Sequence, residues 1–67
     1  MVIIYKRKGI EEKHELKMSK EGFEKHFGYM SRVARYMENM ISNLEEVEIR
    51  EDDGKLFGCW RFAQINS

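Results

Sequence analysis

Between Phe23 and Leu44, apolar residues recur at Phe23, Phe27, Met30, Ala34, Met37, Ile41 and Leu44, at alternating spacings of four and three. An α-helix brings such a series onto one stripe. Ser19 stands where an N-cap hydroxyl accepts an orphan amide, and Glu21 suits the positive end of a first turn. The pattern predicts one amphipathic helix of roughly seven turns near residues 19–45. Gly22 and Gly28 fall inside it, each weakening it by about 1 kcal/mol relative to alanine. Gly28 projects to the polar side, as a tolerated surface glycine would.

The flanks of this segment read as strands. Val2 to Lys8 (V-I-I-Y-K-R-K) is rich in β-branched and aromatic residues and stops at Gly9. Its first four residues are apolar at both parities, which suits a central strand. Lys13 to Met18 alternates, with His14, Leu16 and Met18 on one side and Lys13, Glu15 and Lys17 on the other, and reads as a second, weaker strand with one buried face. Gly9–Glu12 would connect the two, although Ile10-Glu11-Glu12-Lys13 also fits a helical turn. Near the C-terminal end, Asp53-Gly54 signals a two-residue hairpin turn. That turn places Asp52 opposite Lys55, Glu51 opposite Leu56, Arg50 opposite Phe57 and Ile49 opposite Gly58. Glu48 then faces Cys59, Val47 faces Trp60 and Glu46 faces Arg61. Val47, Ile49, Leu56, Trp60 and Phe62 share one face in this register, and a slip of one residue scatters them. The expected architecture is α+β: one domain over residues 1–67, a four-stranded antiparallel sheet in ββαββ order, and one long helix packed on one face.

The 67 residues hold twelve Lys and Arg against twelve Asp and Glu. A neutral total lacks the excess positive charge typical of nucleic-acid binders. The charge is uneven, however. Residues 45–54 carry six carboxylates against one arginine, while residues 1–18 carry five cations against three carboxylates. A single cysteine excludes an internal disulfide and fits a reducing compartment, so a cytoplasmic location is expected. No apolar run reaches membrane-spanning length, and Met1–Tyr5 is too short for the apolar region of a signal peptide.

At about 100° per residue, Tyr29, Val33, Tyr36 and Met40 form a second apolar strip beside the main one. One face of a small sheet covers a narrower stripe than both together. The second hairpin also carries Phe57, Cys59, Ala63 and Ile65 on what would be its outer face, and the first strand adds Val2 and Ile4 or Ile3 and Tyr5. Curled termini or the 9–12 loop would cover this excess in a monomer. Self-association covers it equally, and small chains gain stability that way. The expectation is a homodimer, with Tyr29, Val33, Tyr36 and Met40 as the contact strip for a second copy or a protein partner. Phe57 and Ile65 form the competing strip.

No motif names a reaction. Cys59 with His14 or His26 would be a nucleophile and base pair, but Phe57 and Trp60 make Cys59 look like a packed strand residue. His26 falls inside the apolar arc of the helix. No metal-ligand spacing occurs, Glu51-Asp52-Asp53-Gly54 lacks the spaced ligands of a calcium loop, and no phosphate-binding glycine loop is present. Neither enzymatic activity nor a cofactor is expected. Tyr5, Lys6, Arg7 and Lys8, joined by Arg32 and Arg35, compose a possible nucleic-acid contact, and Lys25 adds positive charge to the same polar face of the helix. Against it, Glu46, Glu48 or Glu51 would pair with the basic strand end, and the acidic strip would otherwise be a solvated edge. The leading expectation is a small non-enzymatic protein that binds a protein partner as a homodimer. An accessory or regulatory factor of a phage or mobile element fits that description; a nucleic-acid-binding regulator is the alternative.

Overall fold

A computed structural model of the chain describes residues 1–62. The elements are β1 (Val2–Arg7), β2 (Lys13–Lys17), α1 (Lys20–His26), α2 (Met30–Met40), β3 (Leu44–Arg50) and β4 (Leu56–Arg61). All pairings are antiparallel, in the order β2-β1-β3-β4. The apolar β1 is central, as its double parity predicted, and the alternating β2 is an edge. A loop opened by Gly9 at φ +78° joins them, so residues 10–13 do not form a helical turn.

The expected long helix is two helices. The Ser19 hydroxyl caps α1 by accepting from the Gly22 amide at 3.0 Å. At the other end, the amides of Phe27 and Gly28 both donate to the Phe23 carbonyl. Gly28 sits at φ +83°, a left-handed conformation open to glycine and costly for residues with a Cβ. It is a helix terminator, not a tolerated surface glycine. Tyr29 is extended, and the helix resumes at Met30. The physical reason is length. A helix over 19–45 would run roughly 40 Å, whereas strands of five to seven residues span about 17–24 Å. Breaking at Gly28 returns the apolar stripe to the sheet. The second helix stops at Met40, Asn43 turns the chain at φ +61°, and Leu44 opens β3 instead of closing a helix.

The core joins Met1, Ile3, Phe23, Phe27, Val33, Met37, Leu44, Val47 and Ile49. The β3–β4 register matches the sequence reading from Glu46–Arg61 through Ile49–Gly58, then shifts. Arg50 pairs with Leu56, so Phe57 is the additional residue of a bulge. The turn is correspondingly longer. Glu51 donates to the Lys55 carbonyl at 2.8 Å, Gly54 adopts φ +90°, and the Asp53 carboxylate accepts from the Lys55 amide. The Asp52–Lys55, Glu51–Leu56 and Arg50–Phe57 pairs expected of a two-residue turn are therefore replaced.

The bulge corrects two further expectations. Leu56 lies opposite Arg50 and is exposed, away from the face shared by Val47 and Ile49. Phe57 turns to the helix side, where its ring meets that of Phe23 edge-on at 5.1 Å. Phe57 and Gly58 both oppose Ile49 there, and a Cβ on Gly58 would come within 3.1 Å of the Met30 sulfur. Gly58→Val should therefore lower stability by about 1–3 kcal/mol through overpacking. Met30→Ala in the same chain should recover part of that loss in urea denaturation; strictly additive effects would show that the two residues do not compete for this space.

Candidate functional site

Helix α2 lies over β3 and β4, and α1 reaches β4 through the Phe23–Phe57 ring contact. Ser31, Ala34, Arg35 and Glu38 line a depression with Trp60 of β4, which turns the opposite flank of α2 toward the β1–β2 half of the sheet. That flank carries Tyr29, Tyr36 and Met40, exposed to 57%, 48% and 66%. Three of the four expected strip residues are therefore on the surface together. The fourth, Val33, is fully buried and belongs to the core. The Tyr36 ring stands edge-on to Phe27 at 5.3 Å, which orients it while leaving it accessible.

On the helix side of the uncovered half of the sheet, Tyr5 stacks on His14 with ring centroids 5.2 Å apart. Leu16, next on that face, is 47% exposed. Of the competing strip, Phe57 is half-covered by Phe23, and Ile65 lies outside the described residues with Ala63. His26, expected in the apolar arc, is exposed at the end of α1.

The acidic segment is largely consumed by ion pairs. Lys6 Nζ reaches Glu45 at 2.6 Å, Arg50 reaches Glu48 at 2.9 Å, and Arg61 approaches Glu46 at 4.0 Å, the pair expected from the register. The Met1 amine takes Asp52 at 2.7 Å. Lys6 thus finds Glu45 instead of Glu46, Glu48 or Glu51. Its hydrogen bond holds the Glu45 carboxyl below its ordinary range and Lys6 above its own.

These pairings separate the possible nucleic-acid set. Tyr5 faces the helix side and is stacked on His14, while Lys6 faces the other side and is engaged by Glu45. Arg7 ends β1, Lys8 follows it in the turn, and Arg32 and Arg35 sit on α2. Arg32 and Arg35 instead join Lys25, His26, Phe27, Tyr36 and Asn39 around an open depression of about 450 Å³ with no carboxylate in its lining. The Arg32 guanidinium also lies 5.9 Å from the centre of the Tyr29 ring, within cation–π range. Among the described residues, none of Lys25, Arg32 and Arg35 takes part in an ion pair. Sequence reading grouped Lys25 with the two arginines on one polar helix face. It did not foresee the depression with His26 and Tyr36, because Lys25 and His26 come from α1 and the arginines from α2, and the break at Gly28 sets their relative positions.

The structure does not bring Cys59 together with either histidine; His26 ends α1 on the helix side of the sheet, the face that Cys59 turns away from. Cys59 is on β4 and on the face opposite to His14, which is on β2 at the other edge. Its thiol donates to Glu46 Oε1 at 3.3 Å; desolvation, then this bond and the carboxylate charge, push the thiol pKa up. Among the described residues, no three His, Cys, Asp or Glu side chains converge as metal ligands, and no helix is long and apolar enough to cross a membrane. Comparison with protein-family models, curated proteins and solved structures returns no match for this chain.

Tyr36→Glu should leave a cooperatively folded protein, since the site is open to water. Val33→Glu should unfold it by burying a charge without a partner. Circular dichroism melts of the two separate strip from core, and a folded Val33→Glu protein would contradict this assignment.

The Lys6–Glu45 pair sets a pH dependence. Glu45 has a depressed folded-state pKa, so its contribution is present above the unfolded carboxylate range and is lost as pH falls. Lys6 has a raised one, so its contribution is present below its unfolded pKa and is lost at strongly alkaline pH. Glu45→Gln should lower the urea midpoint at neutral pH and flatten its acid decline, the two proteins converging once the pH falls below the depressed folded-state pKa of Glu45.

Proposed function

We propose that this protein is a non-enzymatic binding protein that acts as a homodimer and engages an acidic protein segment on the surface of α1 and α2. The observation that carries this reading is the juxtaposition of exposed Tyr29, Tyr36 and Met40 with Lys25, Arg32 and Arg35. Aromatic and methionine side chains supply contact area, and arginine beside them supplies orientation, the combination enriched in protein interfaces. A depression lined by cations without carboxylates favours an acidic occupant. The separation of Cys59 from both histidines supports the non-enzymatic part. An accessory or regulatory role suits a chain whose distinctive surface is for contact.

The nucleic-acid reading draws on the same three cations but loses Tyr5 and Lys6, both already engaged within the fold. Panning a random displayed-peptide library on the immobilised protein tests between them. The expected result is enrichment of acidic peptides with apolar anchors, abolished by Arg32→Glu with Arg35→Glu and weakened at least tenfold by Tyr36→Glu. Enrichment indifferent to these changes would overturn the assignment. Fluorescence anisotropy with short DNA and RNA completes the test: binding that falls steeply with salt would place the protein in the nucleic-acid class instead.

A further inference from the structure

We propose that the free edge of β2 pairs antiparallel with the β2 edge of a second copy, in the register that sets Leu16 opposite the partner's Leu16. The inference rests on the homodimer reading and names the surface that performs it. Every residue of β2 is exposed, the strand contains no proline, and its pairing with β1 runs without a bulge. Such an edge is a template for another strand.

The hydrogen-bond pattern tells which groups it offers. Met1 and Met18 exchange both backbone bonds, at 2.9 and 3.0 Å. Alternation along the ladder then turns the amides and carbonyls of Leu16 and His14 toward β1, and those of Lys13, Glu15 and Lys17 toward the open edge. A two-fold axis normal to the sheet keeps like faces together, so only residues of equal parity can stand opposite one another.

Side chains choose among the registers that remain. Centring the axis on Glu15 would oppose glutamate to glutamate and Lys13 to Lys17. Centring it on His14 would pair Lys13 with the partner's Glu15 twice, but it would oppose two imidazoles and set Leu16 against Glu12. Centring it on Leu16 joins the two leucines, sets Glu15 against the partner's Lys17 twice, and sets His14 against the partner's Met18 twice. That register alone satisfies both the charges and the apolar residue. The Glu15–Lys17 positions are those whose backbone groups face outward, so both copies of the pair close with hydrogen bonds. The leucines occupy the closely spaced position, with Cα atoms about 4.5 Å apart. None of Lys13, Glu15 and Lys17 joins an ion pair among the described residues, so the second copy supplies charge partners that this chain's described residues do not.

The result is a continuous eight-stranded sheet whose two central strands, the β2 of each copy, carry no helix and whose flanking β1 strands are only partly covered. Tyr5, His14 and Leu16 from both copies floor a groove, and the Tyr36–Met40 flanks of the two α2 helices border it. Self-pairing by this edge therefore leaves the proposed partner surface free.

Oxidative crosslinking tests the register. In a Cys59→Ser background, Leu16→Cys should form a disulfide-linked dimer, and His14→Cys should not. By light scattering, Glu15→Lys should convert the dimer to a monomer, and adding Lys17→Glu should restore it. Crosslinking through His14→Cys alone would overturn the register. A dimer indifferent to Glu15→Lys but dissociated by Tyr36→Glu would overturn this edge while leaving the homodimer standing on the helix flank. A wild-type monomer at all concentrations would overturn both, whereas peptide panning reads partner binding separately.

Discussion

Burial of Val47 and Ile49 in one core with Val33 and Met37 is the constraint from which the rest of this small structure follows. These four side chains lose essentially all contact with water. Each such burial contributes on the order of 1.5–3 kcal/mol, a large share of a small domain's stability. The strands that present Val47 and Ile49 are short, so the segment that covers them must be short as well. The left-handed Gly28 and the bulge at Phe57 are two answers to that requirement. One folds the helical stripe back over the sheet, and the other adds an aromatic ring beneath α1 where the first helix would otherwise cover too little. Gly58 completes the arrangement by leaving room for Met30.

Covering β3 and β4 leaves β1 and β2 partly bare, and this asymmetry gives the molecule its proposed contact surfaces. The flank of α2 that cannot reach Trp60 carries the tyrosines and Met40. The uncovered strands carry Tyr5, His14 and Leu16. Charges follow the same division. Carboxylates of the acidic segment are drawn into pairs with Lys6, Arg50, Arg61 and the Met1 amine, which quietens one side of the sheet. The cations of the helix surface and the alternating charges of β2 keep no such partners among the described residues. In a chain of zero net charge, it is this local imbalance that marks the proposed binding surfaces.

Much of the local structure was legible in the residues. Ser19 and the four-three spacing rest on short-range stereochemistry, and both reappear in the structure. The alternating segment reappears as β2, but its His14–Leu16 face is exposed instead of buried, because no helix reaches that edge. The β3–β4 register was legible up to Ile49 because a one-residue slip would expose Val47 and Ile49. It ceased to be legible at Arg50, since Asp53-Gly54 serves a two-residue turn and a three-residue turn with nearly the same residues. The continuous helix misled for a related reason: the periodicity runs unbroken across Gly28, although the backbone does not. Both segments address the same sheet, so apolar residues keep their spacing through the break.

By itself, then, the sequence determined the α+β class, the antiparallel strands, the apolar stripe and three members of the exposed strip, Tyr29, Tyr36 and Met40. These depend on the period of each element and the chemistry of its side chains. Only the tertiary structure decided that Val33 belongs inside, that Lys6 is spent on Glu45, and that Lys25, Arg32 and Arg35 gather at one depression. It also decided that β2 is the bare edge. Such outcomes depend on which strand lies beside which and on where a helix runs out of sheet, and neither length nor neighbour order is encoded in any single repeat.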